Sequence, residues 1–231
     1  MVVEVDSLPQ VAGLTLTGDY ALAAIPARYA LERRDWTSAA TLHPATAAVP
    51  WAEAISWQAI GIGSARSGNL AQADKAEETL AVLRDATNKQ NNTYWGNQVE
   101  VQRREVAGWI AVGKKQPQQA IALLRAAAEL EGSMDKHAVI PGAVIPAREM
   151  LAEMFALQQR PADALVEYKA VLEVAPRRFN ALYGAGMAAD ASGNHAAASQ
   201  YFKTLLEVSA GSSEREELKS ARQKLSLSAG N

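Results

Sequence analysis

From residue 145 to residue 209 the apolar positions recur with a helical period, and the pattern runs twice. The first copy reads IPAREMLAEMFALQQRPADALVEYKAVLEVAPRR from Ile145, the second FNALYGAGMAADASGNHAAASQYFKTLLEVSAG from Phe179. At an offset of about 34 residues Ala152 falls on Gly186, Ala164 on Ala198, Tyr168 on Phe202 and Val171 on Leu205. Two antiparallel helices approach closely only where one presents a small side chain to a large one on the other, so small residues against aromatics predict the joint of a helix pair. The punctuation agrees. Pro161 suits the first position of a helix, where its missing N–H costs nothing. Ser192-Gly193-Asn194 offers a left-handed turn followed by an N-cap, and Pro176 stops the helix before it.

The same pattern, less regular, extends back to Asp19. Residues 1–18 mix Val, Thr, Gly and Pro without a helical period and read as an extended leader. Pro26 is expected to restart a helix, and Asp35-Trp36 to begin its partner with Ala39 at the joint. A second unit runs from Trp51 to Arg66 and from Leu70 to Ala86 around the turn Ser67-Gly68-Asn69, with Trp57, Gly61 and Ala73 in the packing positions. A third runs from Tyr94 to Gly113 and from Pro117 to Leu130, with Gly108 and Ala120 as its small pair. Ser213 to Glu216 has the spacing of a capping box, predicting a polar helix from Glu214 to about Leu225 before a fraying SLSAGN tail. The expectation is an all-α fold: an α-solenoid of about five helix-turn-helix units over 19–212, of the length of tetratricopeptide (TPR) repeats, closed by a capping helix and tail at 213–231.

Units begin near Tyr20, Ala54, Val101, Ile145 and Phe179, at spacings of about 34, 47, 44 and 34 residues. The surplus falls at 88–98, NKQNNTYWGNQ, and at 132–144, GSMDKHAVIPGAV, each between one unit and the next. In a solenoid such junctions lie along one edge, so both insertions are expected to be neighbours beside the concave face. Irregular segments on a rigid scaffold are where binding groups concentrate. Tyr94 and Trp95 open the third unit as aromatic anchors for a peptide, or, for Trp95, as a ring packed between units.

Composition narrows the chemistry. With 48% hydrophobic residues the chain of 231 can bury a core, and a formal net charge of −2 with scattered Lys and Arg lacks the basic footprint of a nucleic-acid binder. Cysteine is absent, which removes disulfides, thiolate nucleophiles and thiolate metal ligands. No apolar run is long enough for a membrane span, and MVVEVDSLPQ is not a signal peptide. A cytoplasmic protein is expected if this start is native, an exported one if the chain is a piece of something longer. Gly108 to Lys115, GWIAVGKK, nearly spells a phosphate-binding loop, but Lys115 stands where magnesium needs Ser or Thr, and the segment lies in a helical pattern. Gly61-Ile62-Gly63 lacks the third glycine of a dinucleotide site. No catalytic set, metal-ligand spacing or cofactor motif emerges. His43 and His195 read as surface or packing residues. Asp135, Lys136 and His137, with Arg148 and Glu149 downstream, could bind an anion or move a proton; the plainer reading has Arg148 and Glu149 pinning the loop to a helix end.

Several stretches carry a resemblance. AAIPARYALERRDWTSAATL from Ala23 to Leu42, Tyr94-Trp95, QVEVQRREVAGWIA and above all DKHAVIPGAVIPARE followed by RFNALYGAG resemble the C-terminal region of a group of bacterial TPR proteins, over roughly 19–222. That group's loop reads closer to EKHPVTPGP, so Ala138, Ile140 and Ala143 depart from it, and with them its more rigid proline-bound form. The resemblance implies the helical-repeat fold and often a longer chain with further repeats and sometimes an export signal; it implies no biochemical activity. The expected function is a non-catalytic scaffold for a protein or peptide partner, acting through the concave face and both insertions, with self-association open. The alternative is a repeat domain of a larger enzyme or sensor with a small-molecule or anion site around His137 and Arg148.

Overall fold

The computed structural model describes residues 16–44, 49–135, 142–210 and 215–229. Among them are eleven helices and no strand, gathered into two compact units, Met1–Ala147 and Arg148–Asn231. The first contains α1 (Leu16–Glu32), α2 (Trp36–Ala40), α3 (Pro50–Arg66), α4 (Leu70–Lys89), α5 (Thr93–Gly113) and α6 (Pro117–Gly132). The second contains α7 (Ala147–Leu157, from its second residue), α8 (Pro161–Val174), α9 (Phe179–Ala191), α10 (His195–Val208) and α11 (Glu216–Ala229).

One device sets most of the turns. Arg34, Gly68, Asn91, Lys115, Gln159 and Gly193 each take a positive φ, from 57° to 86°, and the next residue caps the following helix. Asp35, Asn69, Asn92 and Asn194 complete the cap by accepting the backbone N–H of the third residue of the helix. Where the cap has no such side chain, at Gln116 and Arg160, a proline fills the first turn.

These tight turns stack the helices as pairs. In the first unit α3 packs on α1, α2, α4 and α5, and α5 on α4 and α6. The first helices of successive pairs, α1, α3 and α5, therefore lie side by side in one layer. In the second unit α8, α9, α10 and α11 pack in chain order, and an ion pair between Arg148 and Glu167 at 2.6 Å ties α7 to α8. Each unit is thus built of TPR-like helix pairs, the packing mode of an α-solenoid.

The small-to-large joints differ between units. In the second they are aromatic: a methyl group added at Gly184 would run into the Tyr168 ring, and one at Gly186 into the Phe202 ring. In the first they are aliphatic, with Gly61 against Val106 (2.6 Å from such a methyl) and Gly108 against Leu124 (2.8 Å). Trp57, expected in a packing position, is half-buried instead, and its indole N–H donates to Glu53 at 3.0 Å.

Other boundaries also move. Helix α1 begins at Leu16, inside the expected leader, and passes through Pro26 without a break; residues 1–15 lie outside the described residues. The expected insertion at 88–98 is helix except for Gln90, Asn91 and Asn92, because α4 runs on to Lys89 and α5 starts at Thr93. Its surplus residues lengthen two helices to 20 and 21 residues instead of forming a loop. Of the second insertion, 136–141 lie outside the described residues, as do Ser213 and Glu214 of the capping box. The terminal helix continues to Ala229, past the expected end near Leu225.

Candidate functional site

In the first-helix layer of the first unit a crevice opens among Tyr20 of α1, Trp51 and Ile55 of α3, Trp95, Gln98 and Gln102 of α5, and the segment Gly142–Val144. Each contributor is placed by helical spacing. Trp95, Gln98 and Gln102 stand three and four positions apart and form one stripe along α5; Trp51 and Ile55 stand four apart on α3. The indoles of Trp51 and Trp95 stack with centroids 3.9 Å apart and planes 13° from parallel. Tyr94 meets Trp95 edge-on at 5.1 Å, and its hydroxyl accepts from Gln98 Nε2 at 3.3 Å.

The segment Gly142–Val144 is clamped from α1. Tyr20 donates its hydroxyl proton to the Gly142 carbonyl at 2.5 Å, and Arg28 donates to the Ala143 carbonyl at 3.0 Å. What remains open is about 20 Å³, room for one water-sized group. Its floor is aromatic and buried, and its rim carries two primary amides. One of their oxygens, Gln102 Oε1, is buried without a hydrogen-bond partner. A primary amide offers one acceptor and two donor positions, the complement of a peptide bond.

The charges nearby on α5 are already paired. Glu100 accepts from Arg84, Arg103 and Arg104 at 2.7 to 2.9 Å, and Arg103 also bonds Glu77 of α4. Burial works against charge on Glu100, yet the bonds from Arg103, Arg84 and Arg104 outweigh it and hold the carboxyl at about 2. At the far end of α3, Arg66 lies between two indoles, with its guanidinium carbon 3.9 Å from the Trp36 centroid and 3.9 Å from that of Trp109. Such a cation–π sandwich fixes α2 and α5 to the end of α3.

The residues singled out in the sequence fare differently. Trp95 is buried between the second and third helix pairs, the packed alternative, while Tyr94 is half-buried behind the rim. Asp135 is exposed, and Lys136 and His137 lie outside the described residues. Arg148 is engaged by Glu167, and both oxygens of Glu149 accept from one edge of the Arg178 guanidinium, Nε and Nη2, at 2.5 and 2.9 Å. These two pairs tie α7 to α8 and to Arg178, the residue that caps α9. Sequence reasoning missed Tyr20, Trp51 and Gln102, and reached Gln98 only as the last residue of the 88–98 stretch. The stripe spacing from Trp95 along α5 was the available signal for the two glutamines. The two surplus stretches nevertheless meet, since Trp95 and Gln98 come from one and Gly142–Val144 from the other.

Among the described residues no group of three or more acidic or histidine side chains could hold a metal ion, and no helix is long and apolar enough to cross a membrane. Compared with protein-family models and with curated proteins, the chain matches none. Among solved structures it is similar to that of YrrB, described as a TPR protein with an unusual peptide-binding site, at 14% identity and a TM-score of 0.47 over 90% of this chain and 92% of that one. It is also similar to that of the MamA protein, at 15% identity and a TM-score of 0.40 over 84% of this chain and 93% of that one. Neither likeness bears on the crevice. Among the described residues the fold is all-helical, built of successive packed helix pairs.

Proposed function

We propose that the chain is a non-catalytic scaffold that binds a peptide, or an extended segment of another protein, along the first-helix layer of its first unit. The observation that supports this reading is the Trp95, Gln98 and Gln102 stripe. An aromatic floor under an amide-bearing rim suits a chain laid over the crevice that brings a backbone amide to Gln98, the crevice itself holding one water-sized group. Tyr94 stands behind the rim, accepting a hydrogen bond from Gln98. Rigid placement favours such binding, because the clamped Gly142–Val144 segment and the stacked indoles have little left to order when a partner arrives.

The test uses a photo-crosslinking amino acid placed at Gln98, and separately at Val82 on α4, which is 66% exposed, in the native host. Adducts formed from position 98, absent from 82 and reduced by Gln102→Leu, are the expected result. Equal adducts from both positions, or none from 98, would overturn the reading.

A further inference from the structure

The first unit holds an acid that the crevice does not use. Glu105 of α5 is fully buried, and its Oε2 accepts from Nε2 of Gln58 on α3 at 2.5 Å. Gln58 is itself only 2% exposed. The remaining oxygen of each, Glu105 Oε1 and Gln58 Oε1, is buried with no hydrogen-bond partner. From α6, Glu131 brings a second carboxyl within electrostatic range of Glu105. Glu131 in turn accepts the Ala147 N–H at 2.9 Å, fixing the end of the segment that follows α6. The third neighbour of α5, helix α4, directs Glu77 and Arg84 to Arg103 and Glu100, so no cation from it answers Glu105.

Ionised, Glu105 would be a desolvated carboxylate facing another carboxyl, with one oxygen unmatched. A neutral acid resolves all three problems. Acid and primary amide are complementary: the amide N–H donates to one acid oxygen, and the acid O–H donates to the amide oxygen. The first of these bonds is in place, and both oxygens that the second would join are without partners.

We propose that Glu105 is carried as the neutral acid, paired on both edges with the Gln58 amide, and that this proton is a latch joining α3 to α5 which alkali releases. Removal of the proton turns the acid–amide pair into one bond and a stranded amide oxygen, and sets a negative charge against Glu131, which holds Ala147. Burial first and Glu131 second push the Glu105 carboxyl well above its usual 4.5, and the Gln58 bond offsets only part of that. The sign follows. A carboxyl raised in the folded state stabilises the fold fully below 4.5, and the contribution is lost as pH climbs toward the folded value. This holds whether or not the crevice binds peptide.

The test combines infrared spectroscopy with unfolding of the full chain from pH 5 to pH 9. At pH 7 wild type is expected to show the carbonyl band of a buried neutral carboxylic acid, missing from Glu105→Gln. Its unfolding constant should rise by up to about tenfold per pH unit as the solution is made alkaline, the slope for one linked proton. Glu105→Gln keeps both edges of the pair without a titrating group, so that slope should vanish, and Glu131→Gln should make it level off at a lower pH. No neutral-acid band at pH 7 would overturn the proposal even if the variants fail to fold. So would a Glu105→Gln protein with the wild-type slope.

Discussion

Replacing Glu100 with Gln removes the one carboxylate that three arginines share while keeping its shape. The side chain is 13% exposed, so solvent screens it little. Its carboxyl is held at about 2 against 4.5 for an ordinary one, a difference that corresponds to about 3 kcal/mol of stability at neutral pH. Because the folded value is depressed, this contribution is present in full above 4.5 and is lost as pH falls toward 2. The substitution leaves Arg84, Arg103 and Arg104 mutually repelling, while Glu77 and Asp85 still answer two of them. A net loss of about 2 to 3 kcal/mol at pH 7 is therefore expected. The assay is urea unfolding followed by tryptophan fluorescence, which reports the first unit alone because Trp36, Trp51, Trp57, Trp95 and Trp109 all precede Arg148. Wild type should lose stability steeply as the pH is lowered through the carboxylate range, and Glu100→Gln should lose less over the same interval. Equal stability of the two proteins at pH 7, with parallel losses in acid, would refute the network as a source of stability.

Two further perturbations test the packing and the clamp. Gly186→Ala should destabilise the second unit by about 1 to 3 kcal/mol despite its better helix propensity, because the new methyl group strikes a Phe202 ring that is 1% exposed. Thermal unfolding by circular dichroism should show the loss, and Phe202→Leu on that background should recover part of it. Tyr20→Phe removes the hydroxyl that bonds the Gly142 carbonyl and should cost about 1 kcal/mol, with faster amide exchange at Ala143 and Val144 as the readout; unchanged exchange would mean that Arg28 alone holds the segment.

What could be read from the chain was local. Helix pairs show in the sequence because period, cap and turn residues lie within a few positions of one another, as Ser67-Gly68-Asn69 and Ser192-Gly193-Asn194 do. The stretch at 88–98 misled because asparagine disfavours helix interiors, and four of its residues are asparagine. Two of them earn their places at the left-handed position and the cap, while Asn88 sits on α4 where its side chain closes against Gly96 of α5. The crevice was only half legible. Tyr94, Trp95 and the 132–144 stretch drew notice by composition, but Tyr20 reaches a carbonyl 122 positions away and Gln58 a carboxyl 47 positions away. No residue type or spacing announces contacts of that range; stacking of pairs in three dimensions creates them.

The lengthening of α5 makes these separate features one design. A helix presents a new face about every 100°, and α5 uses three. Trp95, Gln98 and Gln102 floor and rim the crevice; Glu100, Arg103 and Arg104 hold the charges, with α4 answering the first two; Glu105 and Gly108 face the core, toward Gln58 and Leu124. A first helix of ordinary repeat length, starting near Val101, would retain the core face and lose Trp95 and Gln98. The surplus residues thus add an aromatic and amide-bearing turn in front of a helix already fixed by its core face. A packed core face is what lets the helix carry one unpartnered oxygen, Gln102 Oε1, just behind the added turn, since leaving such a group unbonded costs only about 1 to 3 kcal/mol.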